Sequence, residues 1–241
     1  MSNKIRRKNY MLIHGAYHGA WCWRNVTPTF RKLGHTVYTP TLTGLGERAH
    51  LLTSQTSLET FIEDIAQVFK YEDLNDVILV GHSFAGSVLS AIADRLPDRL
   101  RHLVYLDALI LNSGESSADR SPDRIEVYRQ QALASGDGLS IPPASPEHYG
   151  IADPEQVEWY ESKLTPHPLQ TYYDKLYLKN PLGNGIPATY IACSKPYFAS
   201  TEKSREIAQH MQGWDYLEIP TAHNAMSLMP EELTKLLLSI D

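Results

Sequence analysis

Short apolar runs rich in Val, Ile, Leu and Tyr alternate along this chain with longer segments whose apolar positions recur at helical spacing. The run "YMLIHG" (residues 10–15) predicts a strand ending in a turn, and "WRNVTPTFRKLG" (23–34) a helix closed by Gly34. "HTVYTPTL" (35–42) reads as a strand and "TGLGERAH" as the loop after it. Residues 57–72 read as a helix opened by Ser57, with Thr60 or Glu59 completing a capping box. Then come a strand over 76–81, a helix over 84–97 and a strand over 99–109. Strands alternating with helices predict an α/β fold: a mostly parallel sheet with helices on both faces.

The alternation stops between residues 112 and 185. That segment holds most of the prolines and much of the tyrosine, with helical pieces such as 153–164 between them. We read it as a cap or lid inserted above the sheet, within a single domain spanning 1–241. The alternation resumes with strands at 186–193 and 215–220 and helices at 201–211 and 230–240.

Composition narrows the function classes. The chain has 241 residues, 42% hydrophobic and 21% charged, with a net charge of -6. Its length suits one sizeable core, and its acidity argues against nucleic acid and anionic membranes as partners. The one basic run, Lys4 to Lys8, reads as a solvated lead-in to the first strand. The two cysteines, Cys22 and Cys193, form neither a disulfide framework nor a metal spacing, so buried thiols are expected. No signal peptide or membrane-length apolar run is visible, which makes a cytoplasmic protein the expectation. The sequence implies no metal and no organic cofactor.

The chemistry centres on "VILVGHSFAGSVLS" (77–90), a strand, then Gly-His-Ser, then a helix start. The nucleophile elbow of serine hydrolases reads G-x-S-x-G. Here Ala85 stands two residues after Ser83, and the glycine comes one later, at Gly86. The turn lifts the Ser83 hydroxyl to the carboxyl edge of the sheet, beside a helix N-terminus that favours developing negative charge. A serine hydroxyl also needs a base to take its proton. Of ten histidines, His223 in "IPTAHNAM" follows the last strand and arrives at the same edge. His82 adjoins the nucleophile but should point away from it, and His102 falls within a strand. His35, His50, His148, His167 and His210 carry no comparable context. An oxyanion hole needs two N–H donors. Phe84 N–H is one, and the loop "HGAYHGAWCW" (14–23) offers Ala16, with Tyr17 as runner-up.

"HGAYHGAWCWRNV" and "VGHSFAG" resemble the α/β-hydrolase superfamily, in the branch of plant methylesterases, hydroxynitrile lyases and methylketone synthases. "TPTLTGLGERAHLL" (39–52) and "LTPHPLQTYYDKL" (164–176) are similar to a bacterial esterase group whose members act on carbamate esters and macrolide lactones. The resemblance implies fold and reaction class, and a family elbow that accepts a small residue at Ala85. It also implies that the triad acid follows the penultimate strand, but that loop, "IACSKPYFAST" (191–201), has no carboxylate before Glu202. Asp107, in "LVYLDAL" at the end of the preceding strand, is the assigned acid; a buried carboxylate there needs a partner such as His223. Asp107 could instead cap the following turn, and Asp215 and Glu218 are weaker candidates.

These residues predict a serine esterase acting on a small-molecule ester, carbamate or lactone that is bulky and largely apolar. The alternatives are a lyase using the same triad and a non-catalytic small-molecule receptor. The hydroxynitrile lyases carry a lysine after the histidine, where this chain has Asn224. Tyr17, Phe84 and Met226 flank triad positions and are expected to line an apolar pocket. Trp159, Tyr160, Tyr172 and Tyr173 are candidates to cover it. The sequence leaves the oligomeric state open.

Overall fold

The computed structural model describes residues 7–136 and 138–240. Lys4 to Arg6 of the basic run lie outside the described residues. Lys8 corrects the expected solvated lead-in: it is buried, and its Nζ donates to the Ile240 carbonyl at 2.6 Å, at the C-terminal end of the last helix. A cation there satisfies a carbonyl that the helix leaves without a partner.

Six strands form one parallel sheet: β1 (Asn9–Ile13), β2 (Thr36–Tyr38), β3 (Val77–His82), β4 (Leu100–Leu106), β7 (Ala188–Cys193) and β8 (Trp214–Ile219). Their spatial order is β2-β1-β3-β4-β7-β8, and every pairing is parallel. The intervening β5 (Ser140–Ile141) and β6 (His167–Pro168) make a separate antiparallel ladder.

Successive strand residues serve opposite faces, as the pleat requires. Tyr10, Leu12, Ile78, Val80, Val104 and Leu106 pack with Phe30 of α1 (Thr27–Lys32) on one side. Met11, Ile13, Val77, Leu79, Leu103 and Tyr105 pack with Phe61 of α2 (Leu58–Tyr71) and Val88 of α3 (Ala85–Arg95) on the other. Burial on both faces is why the central strands read as unbroken apolar runs.

Between β4 and β7 lie α4 (Ser117–Arg120), α5 (Pro122–Ala134), α6 (Pro154–Glu161) and α7 (Gln170–Tyr173). This segment meets the loop after β1 through a small apolar cluster of Tyr17, Ala132, Ile141, Tyr149 and Leu169. The chain closes with α8 (Glu202–His210), α9 (Ala225–Leu228) and α10 (Pro230–Ser239).

Local chemistry explains where elements depart from expectation. The helix expected over 23–34 starts at Thr27, because Pro28 is tolerated only in a first turn; a separate 3-10 turn covers Ala20–Trp23. The edge strand β2 stops before Pro40. The capping box at α2 uses Thr60: its N–H donates to Ser57 Oγ at 3.2 Å, and Ser57 N–H donates to Thr60 Oγ1 at 3.1 Å. Glu59 instead ties α2 to Arg95 of α3. Helix α5 was not expected as an element, because its sequence is mostly polar and has no apolar face to betray it.

Candidate active site

The turn from β3 to α3 holds Ser83 in a left-handed conformation, φ 55°, which a residue with a Cβ adopts only when its surroundings impose it. The surroundings are backbone bonds. Ser83 N–H donates to Leu106 O at 3.2 Å, while its carbonyl accepts from Leu109 N–H at 2.8 Å and Gly86 N–H at 3.1 Å. The irregular glycine now has a cause. A Cβ on residue 86 would stand 2.1 Å from the Leu109 carbonyl oxygen, so only glycine fits there. The methyl group of Ala85 is buried without such a conflict. Gly15 plays a similar part opposite, where a Cβ would lie 2.8 Å from Ser83 Cβ.

His223 sits between β8 and α9, with Nε2 2.9 Å from Ser83 Oγ and Nδ1 2.7 Å from Asp107 Oδ2. With Nδ1–H donating to the carboxylate, Nε2 is left to accept from the hydroxyl. Asp107 is fully buried at the end of β4, with φ 41° and its N–H donating to Ile191 O at 2.7 Å. Asp215 and Glu218 are exposed on β8, and Glu218 accepts from Tyr197 Oη.

The loop after β7, which lacks the expected acid, holds this arrangement in another way. Thr201 Oγ1 donates to Asp107 Oδ1 at 2.9 Å, and Arg205 Nη1 donates to Thr201 Oγ1 at 2.8 Å. The Phe198 ring stacks on His223, centroids 4.0 Å apart. His82 also takes part: its Nε2–H donates to the His223 carbonyl at 3.0 Å, and burial holds its pKa well below the ordinary value. It belongs to the lining of the same cleft as Ser83. Thr201→Val keeps the shape of the side chain but strips one donor from a buried carboxylate. It is expected to lower kcat about tenfold. Steady-state kinetics on a chromogenic ester checks this, and an unchanged kcat would show that Asp107 does not need that hydrogen bond.

The loop after β1 is braced by histidines. His14 Nδ1–H donates to Gly15 O at 2.8 Å while its Nε2 accepts from Leu42 N–H. His18 Nδ1–H donates to Ala16 O at 2.7 Å while its Nε2 accepts from Asn224 Nδ2. In a planar trans peptide the next N–H points opposite to the carbonyl. Ala16 N–H and Tyr17 N–H therefore face away from these rings. Among the described residues neither they nor Phe84 N–H has an acceptor. Ala16, Tyr17 and Phe84 line the cleft beside Ser83.

Burial lowers His14 to about 4 and His18 to about 3. Such a group resists protonation when folded and accepts it when unfolded, so the unfolded chain binds more protons below the ordinary value of 6.5. Stability should be retained above that pH and fall as pH drops towards 4. Chemical denaturation at pH 7.5, 6, 5 and 4 measures it, and a flat profile would contradict these buried neutral rings.

The cleft has an empty volume of about 1110 Å³ including its open mouth. Tyr172 lines it, as does Tyr149, which the sequence did not single out. Met226 does not. On α9 it is fully buried against Leu12, Trp23 and Leu233, on the sheet face away from the cleft, because the short helix turns inward right after His223. Trp159 and Tyr160 pack on Trp21 instead, and Tyr173 is exposed. Arg120, Arg124 and His148 line the cleft and carried no sequence signal beyond their residue type.

Residues 11–236 match the alpha/beta hydrolase family. The carbendazim hydrolyzing esterase of Nocardioides sp. (strain SG-4G) is 35% identical, over 96% of this chain and 99% of its own. Methylesterase 3 of Arabidopsis thaliana is 28% identical over 100% of this chain and 98% of its own. An extracellular alpha/beta-hydrolase from a Paenibacillus species, described as homologous to tobacco salicylic acid binding protein 2, superposes with a TM-score of 0.82. It is 27% identical, over 96% of this chain and 98% of that one. No helix among the described residues is long and apolar enough to cross a membrane.

Proposed function

Because the chain belongs to the α/β-hydrolase family and is a carboxylic-ester hydrolase by its relatives, we propose that it works through an acyl-enzyme on Ser83. The observation that carries this reading is the unbroken contact chain from Ser83 through His223 to buried Asp107, opening on a cleft. Ser83 Oγ attacks the ester carbonyl as His223 Nε2 takes its proton. Asp107 stabilises the resulting imidazolium and fixes its tautomer. The N–H groups of Phe84 and Ala16 receive the oxyanion. The tetrahedral species collapses, His223 protonates the departing alcohol, and water enters by the same steps in reverse roles.

The substrate we propose is a bulky, largely apolar ester, carbamate or lactone. The aromatic lining of Tyr17, Phe84, Tyr149 and Tyr172 supports it, as does the relative named for hydrolysing carbendazim. Residues 112–185 serve as its cap within a single domain, and the protein acts in the cytoplasm. A panel running from p-nitrophenyl acetate to carbamates and large lactones tests the reading, together with a serine-directed phosphonate. Turnover and a phosphonate adduct mapped to the Ser83 peptide are expected. No turnover and no labelling would favour a receptor.

A further inference from the structure

Among the described residues that line the cleft, none is a carboxylate and two are arginines. Arg120 is already neutralised: its Nη2 lies 2.6 Å from Glu115 Oε2 and also donates to the Ile110 carbonyl. Arg124 is not. Among the described residues its guanidinium has one hydrogen-bond partner, the Ser200 hydroxyl, and forms no ion pair. Asp123, beside it in the first turn of α5, is exposed and forms no ion pair with it among the described residues, and the titratable groups facing it across the cleft supply no negative charge. His148 is pushed down by burial and then by Arg124 itself. Burial holds His18 at about 3 and His82 well below its ordinary value. The Tyr149 and Tyr172 phenols are pushed up and stay protonated.

The placement is also costly to the helix. Arg124 is the third residue of α5, in the first turn, where the positive end of the helix dipole disfavours a cation. A protein of net charge -6 thus holds an unneutralised guanidinium at a helix end that repels it, facing the cleft of Ser83. The Ser200 hydroxyl takes one Nη1–H and leaves the rest of the guanidinium without a partner among the described residues. A guanidinium with free N–H groups is matched by a planar anion that can accept two of them.

We propose that Arg124 is a specificity-determining residue that receives a carboxylate carried by the substrate at a position remote from the scissile ester. The proposal rests on the esterase reading of Ser83 and narrows it: the apolar body of the substrate meets the aromatic lining, and its far end is anionic.

Charge-matched pairs test it. On the acyl side, mono-p-nitrophenyl esters of glutarate, adipate and suberate are compared with p-nitrophenyl alkanoates of equal chain length. On the alcohol side, 4-acetoxybenzoate is compared with 4-methylphenyl acetate. The ratio of kcat/KM, anionic over neutral after correction for intrinsic reactivity, is expected to exceed about tenfold for at least one pair. It should collapse in Arg124→Gln, recover in part in Arg124→Lys and shrink at high salt. Because the ratio is internal to each variant, a general loss of activity does not mimic the effect. A wild-type ratio near one in every pair, or a ratio unaltered by Arg124→Gln, overturns the proposal. The same pairs titrated calorimetrically into Ser83→Ala protein separate the two readings. Charge-selective binding that depends on Arg124, with no turnover by the wild type, supports the arginine site and sinks the hydrolase mechanism. Turnover without charge preference does the reverse.

Discussion

Replacing Ser83 by alanine is expected to lower kcat on ester substrates by about 10⁴–10⁶-fold. The size follows from what the hydroxyl does and what survives its loss. Without Oγ no acyl-enzyme forms, and His223 has no proton to take from a nucleophile held 2.9 Å away. The N–H donors of Phe84 and Ala16 and the cleft remain, so some acceleration over water persists. The fold should be indifferent. Alanine has the same Cβ, the left-handed turn is imposed by bonds from Leu106, Leu109 and Gly86, and none of these involves the hydroxyl. A Tm within about 2 °C of wild type is therefore expected. Burst kinetics and phosphonate labelling on the purified variant give the answer. Undiminished hydrolysis would remove Ser83 from the mechanism.

Asp107→Asn is the next largest effect expected, a loss on the order of 10⁴-fold in kcat, the magnitude seen when a triad aspartate becomes an amide. The amide is nearly the same size, and asparagine tolerates the left-handed backbone found at this position better than most residues. The hydrogen bond from Thr201 can still be made to the amide oxygen. What changes is the partner of His223 Nδ1. An N–H₂ group facing that nitrogen forces the imidazole proton onto Nε2, which then cannot accept from Ser83. Asp215→Asn, on the exposed face of β8, is the control and should behave as wild type. Near-wild-type activity in Asp107→Asn would move the acid elsewhere.

Much of this is legible in the sequence. The strand, turn and helix around Ser83 are a local pattern, and local patterns survive in a sequence. The empty position after the penultimate strand could be read directly, and a lone aspartate among Val, Tyr, Leu and Ala at the end of β4 was conspicuous because an unpaired charge there is costly. Met226 shows the limit. Its place three residues after His223 suggested the cleft, but a short helix chooses its buried face by what it packs on, and α9 packs on the core below. The same limit hid α5, whose polar sequence gives no periodic signal, and with it Arg124.

The order of residues alone specifies the alternating α/β pattern, the elbow with its serine, and the residue types available for base and acid. Each of these rests on periodicity or on neighbours a few positions apart. The contacts themselves arise on folding. His223 meets Asp107 across 116 positions and Ser83 across 140, distances over which a chain carries no geometric information until the sheet register is formed. The same assembly showed why residue 86 must be glycine, since the carbonyl that excludes a Cβ belongs to Leu109 on another element. It also left Arg124 without a counter-ion in the cleft among the described residues, because charge balance is a property of the folded surface and not of the order of residues along the chain.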